Sequence, residues 1–160
     1  MPIVALPSES LAACGYAAAR AYSGAALPSY AEVATAFPGS DSAARLSAEL
    51  DEVMIDCRAP GWDGYGAEAV SIPAYVAAQR FIRSLPAGIP VPELAADSDG
   101  CINFEWHVSP RRTFVVSVHP DYRLDFAALL GTTRIHGSEP FFTTELPESI
   151  RQLVRRVYAA

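Results

Sequence analysis

Apolar residues recur at intervals of three and four at Leu46, Leu50, Val53, Met54 and Cys57, drawing one stripe along a predicted helix that Asp41 or Ser42 can cap. Ser71, with Pro73 two positions on, marks the start of a second helix. It carries Tyr75, Gln79 and Ile82 with neighbouring Phe81 and Leu85, can staple Val70 onto Tyr75, and stops at Pro86. A last helix is predicted from near Pro147. Its inward positions are Ile150, Leu153, Val154 and Val157, and Arg151, Arg155 and Arg156 face outward near its negative end.

Between the second and last helices the period falls from 3.6 to 2. C-I-N-F-E-W-H-V, T-F-V-V-S-V-H and L-D-F-A-A-L-L alternate, and D-S-D-G, S-P-R-R, H-P-D-Y-R and L-G-T-T punctuate them, which predicts an antiparallel meander. A slip of one residue would turn every side chain to the wrong face, so the large residues select the register. Trp106 is placed opposite Phe114, Phe104 opposite Val116 and Ile102 opposite Val118; Val118 then meets Leu124 and Val116 meets Phe126. A two-residue Gly131-Thr132 turn brings Ile135 beside Ala128, and a short strand at Glu93 to Ala96 pairs through the turn Asp97 to Gly100. The expected fold class is α+β: a four- to five-stranded antiparallel meander with helices on its oily face. The other face is mixed, with Cys101, Asn103, Glu105, His107, Thr113, Val115, Ser117, His119, Asp125, Ala127, Leu129, Arg134 and His136.

Residues 1–40 differ in character, being rich in alanine and broken by Pro2, Pro7, Pro28 and Pro38. They suggest an arm of two short helices, one from about Glu9 to Tyr22 and one capped by Ser29 with Glu32, ahead of a single α+β domain over residues 41–160. A chain of 160 residues, 51% hydrophobic and 19% charged, has the composition of one globular domain. The net charge of -6, with only 12 basic residues, argues against direct nucleic-acid binding through phosphate contacts. No signal-like start or membrane-length apolar run is present, so a cytoplasmic location is expected. Cys14, Cys57 and Cys101 are odd in number and widely spaced, without C-x-x-C, and read as small buried thiols.

Candidate chemistry narrows the picture further. In the register above, His107 and His119 lie about 20 Å apart and His136 about 14 Å from Glu105. No metal site is therefore expected from the histidines, and no cofactor or catalytic set is assigned. Cys101 opposite His119 is the one thiol–imidazole pair that the register makes cross-strand neighbours. The segment G-W-D-G-Y-G-A, from Gly61, follows no strand and lacks the order of a dinucleotide fingerprint or the lysine of a P-loop. It reads as a corner between two helices, with Asp63 bonding the turn's own amides and Trp62 and Tyr65 folded over the core as a lid.

The pairing of G-W-D-G-Y-G-A with D-G-x-I-x-x-E-W, Asp99 to Trp106, resembles a group of small uncharacterised bacterial proteins. The resemblance covers roughly residues 50–157 and implies a unified fold rather than a named activity. The expected function is a non-enzymatic protein-binding accessory or inhibitor of bacterial or mobile-element type: an antitoxin, an immunity protein or an anti-defence factor such as an anti-CRISPR. Glu49, Asp51, Glu52 and Asp56, with Glu105 and His107, are the candidate partner-binding residues, suited to a basic, nucleic-acid-handling protein. A homodimer stays open. The alternative is a small hydrolase or ligand-binding protein with a pocket among Trp62, Asp63, Gly64, Tyr65, Gly66 and Trp106, near Glu105.

Overall fold

A computed structural model describes residues 39–159 of the chain. The helices expected within residues 1–38, and Cys14, lie outside the described residues. Three helices are present among those described, α1 (Gly39–Asp56), α2 (Ile72–Ser84) and α3 (Glu148–Tyr158). Five strands, β1 (Glu93–Ala96), β2 (Ile102–Ser109), β3 (Arg112–Val118), β4 (Arg123–Leu130) and β5 (Thr133–Pro140), form one antiparallel sheet in sequential order.

The register follows the hydrophobic pattern. Ile102 pairs with Val118, Phe104 with Val116 and Trp106 with Phe114; Val116 pairs with Phe126 and Val118 with Leu124; Ala128 pairs with Ile135 across the two-residue turn. A bulge between His107 and Ser109 interrupts the far end of the first long hairpin. Leu46 and Leu50 of α1, Phe81 and Ile82 of α2, and Ile150 and Val154 of α3 join this sheet face in one core. Phe81 bridges the layers, its ring 4.7 Å from Phe104 and 5.9 Å from Phe141.

The helix ends follow local chemistry. The Ser71 hydroxyl accepts the Ala74 amide at 3.2 Å, and proline occupies the first turn of α2. At α1 the expected cap is displaced. The helix begins at Gly39, before Asp41 and Ser42, so Asp41 lies inside the first turn, where its carboxylate complements the exposed amides. Gly39 and Ser40 accept helical backbone, so the boundary moved by two residues without changing the buried stripe. No helix among the described residues is long and apolar enough to cross a membrane.

Candidate functional site

The Gly61–Gly66 corner is held by its own backbone. Asp63 accepts the amides of Tyr65 at 2.8 Å and Ala67 at 3.0 Å, and these bonds hold its carboxyl below its ordinary value. Gly61 receives the Gly64 amide and bonds Ala67, closing a tight loop in which Gly64 and Gly66 have φ of 79° and 96°. Trp62 packs against the core and donates its indole N–H to Glu68 at 3.0 Å. The lid expected of Tyr65 does not form: the residue is 96% exposed. Asp63 pulls the Tyr65 amide inward between two left-handed glycines, and the side chain is thereby turned out to water. Trp106 belongs elsewhere, fully buried in the sheet core with its indole donating to Pro90 at 2.7 Å.

Because the folded-state pKa of Asp63 is lowered, its contribution to stability is complete above the ordinary value of 3.8 and is lost as pH falls through the folded value. In Asp63→Asn, which keeps an acceptor but cannot titrate, urea midpoints measured across that acidic window are expected to fall less steeply with pH than in the parent. Equal slopes would contradict the assignment.

The corner docks on the turn between β1 and β2. Glu68 donates its amide to Ser98 at 2.8 Å, and the Gly100 backbone passes so close to Ala69 that an added Cβ would lie 2.9 Å from its carbonyl oxygen. The two motifs therefore meet in space. From this turn Asp97 reaches the Asn103 amide at 2.9 Å, and Asp99 accepts the Cys101 backbone N–H at 3.0 Å.

Beyond the turn lies the densest chemistry of the described residues. The Cys101 sulfur is 3.1 Å from His119 Nδ1, and Asp125 stands 2.9 Å from Nε2 on the opposite edge of the ring. One ligand atom each from Asp99, Cys101 and His119 can be chosen so that all lie within 4.8 Å of one another. The tight β3–β4 turn presents this group. Tyr122 takes a φ of 61°, unusual for a residue other than glycine, while its amide bonds the His119 carbonyl. Arg123, from the same turn, lies 3.2 and 3.4 Å from the two ring nitrogens of His119 and 3.4 Å from Asp125. The guanidinium can only donate, so at 3.2 Å from Nδ1 it shares that ring nitrogen with the Cys101 thiol. Cys101 is buried, and desolvation with neighbouring Asp99 and Asp97 pushes its thiol up to about 12. A proton-holding thiol beside two carboxylates is a poor nucleophile at neutral pH.

The candidate partner-binding residues divide between two faces. Glu105 and His107, 3.6 Å apart, are on the open sheet face, where burial raises the Glu105 carboxyl above its ordinary range. The α1 carboxylates lie in the helical layer on the other side of the sheet. Ser47 bonds Gln79, and Asp51 accepts the Tyr75 hydroxyl at 2.5 Å, so α1 and α2 run antiparallel. That pairing, continued by the Val70 amide to the Cys57 carbonyl, brings Ile55 and Ile72 to the same end of the helix pair. Both are about two-thirds exposed, at 63% and 65%, and Val76, one turn along α2, is also exposed. Asp51, Glu52 and Asp56 are exposed on the same stretch of α1, while Glu49 is half-buried.

Among the described residues, a hollow between α1 and the chain leading from α2 to β1 has space for about one water, ≈ 20 Å³. Another is a shallow depression of ≈ 450 Å³ on the open sheet face, bordered by Val115, Asp125, Ala127 and His136. Neither is lined by Trp62, Asp63, Tyr65 or Glu105. Comparison with protein families, curated proteins and solved structures finds no match for this chain.

The cross-strand rule alone places Cys101 beside His119. Asp99 and Asp125 were missed as its companions: one looks like an ordinary turn aspartate, and the other lies one strand further on in an alternating run. A signal was present in the positions flanking the 119–123 turn, since any residue next to His119 across that turn comes from the start of β4.

Proposed function

We propose that the protein is a cytoplasmic, non-enzymatic binding protein that docks a partner protein at the free end of the α1–α2 pair, acting as an accessory or inhibitor of the antitoxin, immunity or anti-defence kind. The observation that carries this reading is the exposure of Ile55, Ile72 and Val76 beside Asp51, Glu52 and Asp56. An apolar centre with a charged border is the anatomy of a protein interface, and isolated folding would favour covering such residues or making them polar. The outward Tyr65 of the adjoining corner is an aromatic anchor of the kind that dominates binding energy. The carboxylates favour a basic surface, as on a protein that handles nucleic acid, and steer its approach. A hydrolase or ligand site at the corner draws no support from Asp63, whose near oxygen is occupied by the turn's amides.

The test is capture from a bacterial lysate with the full chain, run beside Ile55→Arg with Ile72→Arg, and Glu52→Lys with Asp56→Lys. These residues are exposed, so circular dichroism is expected to be unchanged. A stoichiometric partner held by the parent and lost by both variants is the expected result. Absence of such a partner, or capture indifferent to both pairs of substitutions, would overturn the proposal.

A further inference from the structure

We propose that Asp99, Cys101 and His119 form a binding site for a divalent transition cation of the zinc class, with Asp125 orienting the histidine. A thiolate, an imidazole and a carboxylate are the donors zinc accepts, and three protein ligands leave the fourth tetrahedral position for water. The charge also matches: one thiolate, one carboxylate and one neutral imidazole sum to two negative charges, and Asp97 adds to the field from behind.

Geometry carries the argument. Zinc–sulfur and zinc–nitrogen bonds of about 2.3 and 2.0–2.1 Å at a tetrahedral angle separate the two ligand atoms by about 3.5 Å. Cys101 Sγ and His119 Nδ1 stand at 3.1 Å, the separation of a thiol hydrogen-bonded to an imidazole, and a shift of a few tenths of an ångström admits the ion. Binding then replaces the thiol proton, which leaves to solvent, with two metal bonds in place of one hydrogen bond. The carboxylate oxygen of Asp99 lies within 4.8 Å of both atoms, so a movement of this turn side chain toward them is needed to complete the set.

The second observation is the far edge of the ring. A metal-bound histidine usually donates its other N–H to a carboxylate, which fixes the tautomer and strengthens the ligand. Asp125 Oδ2, 2.9 Å from His119 Nε2, fills that role and thereby leaves the Nδ1 lone pair directed at Cys101. Arg123 is a cation facing the group; it partly balances Asp125 and gives up its contact with Nδ1 when an ion takes that lone pair. A nucleophilic triad would use Cys101, His119 and Asp125, but Asp99 sets a carboxylate beside the sulfur, which disfavours the thiolate, and the sulfur is buried.

The test is titration of the full chain with Co²⁺ and then Zn²⁺, in a background carrying Cys14→Ser and Cys57→Ala so that Cys101 is the one thiol. One equivalent of Co²⁺ is expected to give near-ultraviolet thiolate charge-transfer absorption and tetrahedral visible bands, both abolished by one equivalent of Zn²⁺. Cys101→Ser and His119→Ala are each expected to weaken binding at least a hundredfold, and Asp125→Asn, which meets the ring at Nε2 and not at the ion, about tenfold. Absence of thiolate absorption in the parent background would overturn the site without any variant having to fold. So would absorption that persists undiminished in Cys101→Ser or His119→Ala.

Discussion

Gly100→Ala is expected to lower the stability of the fold by about 2–4 kcal/mol, measured as the free energy of urea unfolding. A side chain at its φ of 79° is held in the left-handed region, which costs about 1–2 kcal/mol in a residue other than glycine or asparagine. The new methyl would also lie 2.9 Å from the carbonyl oxygen of Ala69. That oxygen is backbone, part of a segment tied to the same turn through Glu68 and Ser98, so it cannot rotate away as a side-chain tip would. Gly131→Ala separates the two causes, because Gly131 shares the positive φ, at 68°, but has nothing within 4 Å of an added Cβ. It is expected to lose only the conformational part. Equal losses at the two positions would mean that the close approach of Ala69 adds no cost, the segment moving aside to admit the methyl.

Phe104→Ala is expected to cost about 3–5 kcal/mol, a large share of the roughly 5–15 kcal/mol by which domains of this size are stable. Phe104 is fully buried, and its ring packs at 4.7 Å against Phe81, the α2 residue that also meets Phe141 beyond β5. Its removal would leave a cavity where the sheet, α2 and the chain leading to α3 converge, and none of these can collapse inward without losing contacts elsewhere. Phe104→Leu, which keeps most of the volume, is expected to lose less than half as much. A loss below about 1 kcal/mol for the alanine variant would show that the site relaxes to fill the space.

The register of β2, β3, β4 and β5 was legible because alternation and short turns together allow few solutions: a one-residue slip would expose Phe104 and Val116 and bury Glu105, and the turn lengths exclude longer slips. The buried faces of α1 and α3 were legible for the same reason at helical period, but on α2 only Phe81 and Ile82 were: Ala74, Ala77 and Ala78 complete the buried face, while Tyr75 and Gln79 are half-buried and bond Asp51 and Ser47 on α1. Phe141 was not, since it follows β5 in a segment with no period, and only its approach to Phe81 makes it a core residue. The corner's hydrogen bonds at Asp63 were readable, as they span two and four residues. The direction of Tyr65 was not, because an aromatic ring by itself suggests burial, and the turn that sends it outward depends on how the whole loop closes.

The candidate metal site lies between these cases. Cys101 and His119 are adjacent as soon as one hairpin is in register, but Asp99 approaches from the β1–β2 turn and Asp125 from β4, so four residues from three local units must be placed together. The exposed end of the helix pair is of the same kind, since Ile55 and Ile72 come to the same end only when α1 and α2 lie antiparallel.

What the sequence determined by itself is therefore the set of elements, the pairing of the strands and, α2 apart, the side of each element that is buried. Each of these follows from a period of two or 3.6 in residues close along the chain. Only the tertiary structure decided which carboxylates join Cys101 and His119, which apolar side chains stay in water and where the glycine corner rests. Those depend on how side chains from separate turns and elements are aimed at one another once packed, and a period of two or 3.6 does not encode that.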